Sequence, residues 1–447
     1  MKKIQDYSTV YYILYLLVRF AYNKFFRQIE VSGLENIPSR EPVIFAPNHQ
    51  SGLMDPLSVV LNQKNPMVFL ARADIFNNKT FRGFLHTLKI MPVYRIRDGF
   101  ENLTKNEEQF DICKDVLLDR KQLCVMPEGN HGHQHKLRPL VKGIFRIAFS
   151  AEEAMEGTSH VRIVPVSIDY NFYQHAGAEM VVRYGRPMEI EDYYPFYLEN
   201  QAKAFNILKE DLSCRISEMM HDIRSIENYD LIYDLCCYGT PAYLEIQAEK
   251  GIISEAKTRA GRNFETRKSI GLKLDALEMS GSKLPEDCRR ICAKLNKLPG
   301  YPSEITDLME FKPNLFDHLL NFILILLHIP GLIMDTPALL VSKKVCKSIE
   351  DKQMHNTFSF VAGLILYPVM YLITAIILCI VLKCSFLQGF VLFFLLFAIG
   401  IIGERLRQYL KIPFRNLAWS FGKRRKILKE RKEDYQTLKS LMKQILS

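Results

Sequence analysis

The stretch that decides the fold is Val43-Ile44-Phe45-Ala46-Pro47-Asn48-His49-Gln50-Ser51-Gly52-Leu53-Met54-Asp55-Pro56. Its first four residues are apolar and β-prone, which predicts a short buried strand. His49 and Asp55 then follow at the strand exit, with Gly52 between them. A histidine paired with a carboxylate is the minimum equipment for taking a proton from a hydroxyl near neutral pH. A plainer reading exists: Asp-Pro is a good helix start, with Asp as N-cap and Pro at the first helical position, and His49 is then a loop residue.

Working outward, strand-like runs alternate with helical ones from Val31 to about Arg186. The strand candidates are 43–46, 67–71, 90–96, 122–126, 161–168 and 179–184, and helical patterns lie between them at 56–63, 104–120 and 139–156. This alternation predicts an α/β domain with a mixed, mostly buried sheet and flanking helices over residues 31–215. In such sheets, sites gather at the strand exits. Three more exits carry chemistry. Met91-Pro92-Val93-Tyr94-Arg95-Ile96-Arg97 puts Arg95 and Arg97 on one face of an extended chain, suited to phosphate or carboxylate, or simply to solvent. Val125-Met126-Pro127-Glu128-Gly129-Asn130-His131 places an acid and a glycine after a buried strand, where a backbone can approach a ligand closely or merely turn. Val164-Pro165-Val166 is a strand holding a proline, which on its own predicts a sheet edge.

The rest of the 447 residues is too long for the same core, so further structural regions are expected. Residues 1–30 combine apolar and aromatic residues with basic flanks. The unbroken apolar part is shorter than the ~20 residues that span a bilayer, which predicts an interfacial helix. Residues 216–318 are polar and helical in pattern, without a catalytic motif. Residues 319–403 form the membrane region. Its segments 358–382 and 386–403 are uncharged, so they predict a spanning hairpin joined by Lys383-Cys384-Ser385. The 319–341 segment holds Pro330-Gly331 and Asp335, which suit a re-entrant or interfacial hairpin.

Residues 404–447 carry 13 Lys and Arg against 4 Asp and Glu, so this C-terminal tail holds nearly all of the +10 net charge. Following apolar segments directly, it points to an anionic membrane surface instead of nucleic acid. Together with Lys343, Lys344, Lys347 and Lys352, it predicts a multi-pass membrane protein with the α/β domain and the tail in the cytoplasm. The ten cysteines show no zinc-site spacing and are expected to be reduced.

In this order, the four exits resemble the glycerolphosphate and lysophospholipid acyltransferases, the family of the 1-acylglycerol-3-phosphate acyltransferases. The family's N-H-x4-D motif is matched by Asn48-His49 and Asp55, its second-motif arginine by Arg95, its F-P-E-G-T-R by Met126-Pro127-Glu128-Gly129, and its strand proline by Pro165. The resemblance covers residues 31–190. It implies His49 as general base, Asp55 as the carboxylate that orients it, and a pocket for a glycerol phosphate shaped by Arg95, Glu128 and Gly129. Arg97, Asn130 and Lys142 are further candidates for substrate binding. The acyl donor would be acyl-CoA or acyl carrier protein, the acceptor a lysophospholipid or glycerol phosphate, with no metal and no cofactor.

Two departures stand out. Five residues separate His49 from Asp55, where the family has four. A bulge at Gly52, with Pro56 pushing Asp55 out of helical geometry, is expected to absorb the extra one. Asn130-His131 replaces Thr-Arg, so the third-motif arginine is missing, and Arg138, Lys142 or Arg97 are the available substitutes. Two rival readings accompany this one. In the first, the chain is a non-catalytic membrane scaffold that binds anionic lipid through its basic residues. In the second, it is a metal hydrolase using His49, Asp55 and the alternating His131, His133 and His135.

Overall fold

A computed structural model describes residues 3–63, 65–77, 79–94 and 104–447. The chain divides into two compact units. One comprises Met1–Phe20, Ile29–Asp169 and Met180–Asp222; the other comprises Ala21–Gln28, Tyr170–Glu179 and Ile223–Ser447.

The first unit is built on a mixed sheet. Its strands are β1 (Gln28–Ser32), β2 (Val43–Pro47), β3 (Met67–Arg72), β4 (Ile90–Val93), β5 (Gln122–Cys124), β6 (Arg162–Tyr170), β7 (Glu179–Tyr184) and β8 (Met188–Glu189). The order across the sheet is β1-β7-β6-β2-β5-β3-β4, and β8 pairs antiparallel with β6. The five strands β6, β2, β5, β3 and β4 run parallel, with Phe45 opposite Cys124 and Pro47 opposite Val166. Every residue of β2 is buried, as expected for a parallel strand covered on both faces. Helices Lys105–Leu118, Gly143–Ala154 and Gln201–Met219 bring Val116, Leu117, Phe145, Phe149, Leu208 and Leu212 onto Ile44, Leu123 and Ile163. Each such side chain, fully buried, contributes about 1.5–3 kcal/mol.

Pro165 lies in β6, between β7 and β2, so the edge-strand expectation is corrected. Its missing N–H is tolerated in an interior strand, while its carbonyl still accepts from Gly185 N at 2.9 Å. The N-terminal helix, Thr9–Phe25, has two faces. Tyr11 is buried and Tyr15 donates to the Gln63 carbonyl at 2.7 Å. Val10, Ile13, Leu16, Leu17 and Phe20 stay exposed, an apolar stripe suited to a lipid interface.

The second unit contains a helical bundle. Tyr229–Tyr238, Thr240–Glu249, Arg259–Met279, Glu286–Leu295 and Pro302–Glu310 pack around one core. The C-terminal helix Gly422–Leu446 belongs to that core through Leu428, Tyr435, Leu438 and Met442. Within the expected basic tail, the apolar side of this helix is thus a structural face of the bundle, and its charged side is solvated.

Three further helices, Leu315–Lys347, His355–Leu382 and Phe386–Trp419, are long and apolar enough to cross a membrane. The last runs well past residue 403 before it stops at Trp419. The first is continuous through Pro330 and Pro337, so the expected Pro-Gly interruption does not end the helix. In an apolar solvent an open backbone turn is more costly than a strained helix, because unpaired carbonyls find no water.

Candidate active site

The parallel register sets the site. β2, β5 and β6 are neighbours, so the residues that follow them meet although they lie far apart in sequence. Asn48 leaves β2 and copies a backbone ladder with its side chain. Its Oδ1 accepts from Ile168 N at 2.7 Å, and its Nδ2 donates to the Ile168 carbonyl at 3.0 Å. That fixes the chain direction immediately before His49.

His49 and Asp55 meet. His49 Nδ1 lies 2.7 Å from Asp55 Oδ2, and the Asp55 side chain is wholly buried while that of His49 keeps 13% exposure. The same Oδ2 accepts the backbone N–H groups of Gln50 and Ser51, each at 2.7 Å. One carboxylate oxygen thus gathers the turn and the imidazole around it. A proton on Nδ1 bonded to that oxygen leaves Nε2 as the basic nitrogen.

The extra residue is absorbed differently from the expectation. Gly52 is not among the residues with positive φ, and Asp55 sits inside the helix Met54–Val60. The slack is taken up by a helical turn, in which Asp55 N bonds the Ser51 carbonyl at 3.1 Å. Pro56 then occupies the first helical turn, where its missing N–H costs nothing.

Glu128 arrives from β5. Its Oε1 accepts the His49 backbone N–H at 2.6 Å, and its Oε2 accepts Arg138 N at 3.1 Å and Arg138 Nε at 3.0 Å. Burial pushes the Glu128 carboxyl up, against the pull of Arg138 and these donors. Gly129 has φ of 67°, a conformation that favours glycine, and a Cβ there would press on Val141. Arg138, one of the cations offered in place of the missing third-motif arginine, thus pairs with Glu128. The 130–138 loop carries it back: Gly132 N bonds the His49 carbonyl at 3.1 Å, and Leu137 N bonds Asp222 at 3.0 Å. Gly132 gives Arg138 room, since a Cβ there would come within 3.0 Å of Nε. Arg138 Nη2 is buried without a hydrogen-bond partner among the described residues.

The remaining candidates are placed less centrally. Asn130 follows Gly129 and is half-buried. Lys142 is exposed, next to Val141, whose N–H bonds the Pro127 carbonyl at 2.7 Å. Arg95 and Arg97 lie outside the described residues. The histidine trio does not converge. The His131 ring stands edge-on to His49 at 5.5 Å, whereas His135 faces His221 at 5.2 Å. Among the described residues, no three His, Cys, Asp or Glu side chains gather as a metal-ligand set.

One buried network was not foreseen. Asp169, at the end of β6, accepts from Ser167 Oγ at 2.9 Å and from His221 N at 3.3 Å, with His135 Nδ1 3.7 Å away. The only sequence signal was a Ser-x-Asp pattern inside an otherwise apolar strand.

Comparison with known proteins follows this geometry. No curated protein matches the chain. Among solved structures it is similar to the 1-acyl-sn-glycerophosphate (LPA) acyltransferase PlsC from Thermotoga maritima, at 18% identity and a TM-score of 0.35, over 47% of this chain and 79% of that one. The model of the family described as Acyltransferase matches residues 28–169, which hold β1 to β6 and the His49, Asp55, Glu128 and Arg138 constellation. Residues 28–169 are thus an Acyltransferase-family domain, carried in a chain that continues into helices apolar enough to span a membrane.

Proposed function

We propose that the chain transfers a fatty acyl group from acyl-CoA or acyl carrier protein to the free hydroxyl of lysophosphatidic acid. The observation that carries this is the His49–Asp55 pair at 2.7 Å, at the exit of a buried parallel strand. His49 Nε2 takes the acceptor's hydroxyl proton as its oxygen attacks the thioester carbonyl. The tetrahedral intermediate collapses, the carbon–sulfur bond breaks, and the thiolate leaves with the proton from the imidazolium. Asp55 holds the tautomer and stabilises the transient positive ring. Arg138, locked by Glu128, supplies a fixed cation beside the His49 backbone, where an acceptor phosphate needs one. Glycerol 3-phosphate offers the same hydroxyl beside a phosphate. The test is acyl transfer by membranes containing the full chain, comparing both acceptors and both donors. Transfer to glycerol 3-phosphate in preference would displace lysophosphatidic acid, and no transfer with His49 intact would remove the reading.

We also infer the membrane path. Residues 304–311 and 411–439 belong to one body, since Glu304 pairs with Lys411 and with Arg415, Lys439 reaches Glu310 at 3.0 Å, and Lys432 donates to the Phe311 carbonyl at 3.1 Å. The chain leaves this body at Phe311 and returns to it by Lys411. The helices 355–382 and 386–419 run antiparallel, because a Cβ at Gly389 would meet Cys379 and one at Gly400 would meet Tyr371. They cross and come back. Leu315–Lys347 is one continuous helix, so we read it as lying in the interface and beginning and ending on one face, since a crossing by it would bring the chain back on the side opposite Phe311. The lysines of its end and of the C-terminal helix favour a cytoplasmic position for that face. Impermeant thiol labelling tests this in a background without the other cysteines. Lys283→Cys and Ser348→Cys should label from one face and Cys384 from the other. Labelling of positions 283 and 348 from opposite faces would show three full crossings.

A further inference from the structure

A cavity of about 1020 Å³ opens where the last long apolar helix gives way to the C-terminal helix. Its charged lining is Lys312, Arg425, Lys426, Lys429 and Lys432 against the single acid Glu433. Arg425, Lys426 and Lys429 are exposed and make no ion pair among the described residues. Lys432 is spoken for by the Phe311 carbonyl at 3.1 Å, and burial, with Lys312 beside it, pulls its ammonium below the ordinary lysine range. The cluster is thus electrostatically unrelieved. The placement of charge within the helix is itself unfavourable. Lys423, Arg424, Arg425 and Lys426 crowd the first turn of Gly422–Leu446, where the helix dipole disfavours cations. That turn holds no acid, and Glu430 and Glu433 follow only one and two turns later, so an anion from outside the helix is favoured here.

The surroundings say what kind of anion fits. Leu315 and Phe316, which follow Lys312 closely, are 87% and 70% exposed, and Phe421 beside Gly422 is 67% exposed. Bare apolar and aromatic side chains next to clustered lysines match the boundary between acyl chains and headgroups. A soluble phosphate would use the cations and leave these side chains in water. A phospholipid uses both.

We propose that Lys312, Arg425, Lys426, Lys429 and Lys432 form a binding site for the headgroup of an anionic phospholipid in the bilayer that carries the protein. The site lies in the helical unit and contains none of the acyl-transfer residues, so it stands apart from the proposed reaction.

The experiment uses the full chain in phosphatidylcholine nanodiscs containing a minor fraction of phosphatidylglycerol, an anionic lipid that is neither substrate nor product of the proposed reaction. The protein is then extracted in neutral detergent, and the phosphatidylglycerol retained per chain is measured by mass spectrometry. The Arg425→Gln/Lys426→Gln/Lys429→Gln variant alters only exposed side chains and should retain at least ~10-fold less, since each cation near an anionic surface contributes severalfold in affinity. A control, Lys257→Gln/Lys283→Gln/Lys297→Gln, removes equal charge from exposed positions elsewhere in the unit and should retain the wild-type amount. Equal loss in both variants, or loss in neither, would overturn the site. So would displacement of the lipid from the wild type by excess inorganic phosphate, which would make it a soluble-phosphate site. Acyl transfer by the first variant should stay unchanged, which separates failure of this site from failure of the catalytic reading.

Discussion

Asp55→Asn is the substitution that most directly probes the proposed chemistry. Asp55 Oδ2 accepts three donors, His49 Nδ1 and the N–H groups of Gln50 and Ser51, all at 2.7 Å. An amide oxygen can accept the same three, so the turn and the tautomer of His49 are kept. What the variant loses is the negative charge facing the imidazolium that forms as the hydroxyl is deprotonated. Two unit charges about 4 Å apart attract by about 4 kcal/mol at an effective dielectric of about 20. All of that acts on the charged ring and little on the neutral one, so it falls on the transition state, and kcat should drop about 10³-fold. The assay is the initial rate of acyl transfer to lysophosphatidic acid in membranes, with thermal unfolding as a check on the fold. Asp55→Ala serves as the contrast, because it also strands buried donors at about 1–3 kcal/mol each and should lower stability. His49→Ala combined with Asp55→Asn should be no slower than His49→Ala alone, since Asp55 acts only through the ring. An Asp55→Asn enzyme with more than about a tenth of wild-type kcat, or a fully additive double variant, would refute the reasoning.

Arg138→Gln should raise the acceptor KM by about 10-fold or more, the scale of a charge-assisted hydrogen bond. It should also shift the acid limb of the pH–rate profile upward, because the Glu128 carboxyl, already pushed up by burial, loses the cation that pulls it down; Arg138→Lys should restore part of both. Asp234 is buried, and burial first, with Asp230 adding, raises its carboxyl from 3.8 to about 6. Protonated Asp234 therefore favours the fold: the stabilisation is complete below about 3.8 and is lost as pH climbs through about 6. Asp234→Asn should remove that dependence and stabilise the helical unit at pH 7 by about 3 kcal/mol at most, read by thermal unfolding across pH; an unchanged pH slope would count against it. Chelator treatment should leave acyl transfer intact, and its loss would favour a metal hydrolase instead.

The sheet was legible wherever strands are buried on both faces. β2, β3 and β5 announce themselves as short apolar runs, because parallel strands have no polar side to show. β1, with Glu30 in its middle, and the two-residue β8 carry no such signal. The C-terminal helix is hard to see in the sequence because charge masks its pattern. Leu428, Tyr435, Leu438 and Met442 recur at spacings of seven, three and four, an apolar stripe that a count of lysines hides. Pro330-Gly331 was read as an interruption because proline ends helices in water. In Leu315–Lys347 the helix continues, with Gly331 close against Gly403.

At the site, the residue types were legible and their meeting was not. A spacing with one residue too many could have carried Asp55 past His49. What decides the matter is the carboxylate itself: by accepting Gln50 N and Ser51 N it winds the extra residue into a turn, and the helix beginning at Met54 needs no strain at Gly52. Arg138 is the harder case. Ten residues beyond Glu128, it is one of several cations that spacing alone cannot rank. It reaches Glu128 because the loop between them is tied at Gly132 to His49 and at Leu137 to Asp222, 85 residues downstream. The first tie is backbone to backbone, and the second runs from a backbone N–H to the Asp222 carboxylate, so neither marks Arg138 itself in the sequence. A sequence shows which side chains could serve a site, but a cation delivered by ties to its neighbours becomes identifiable only once the fold has closed the loop.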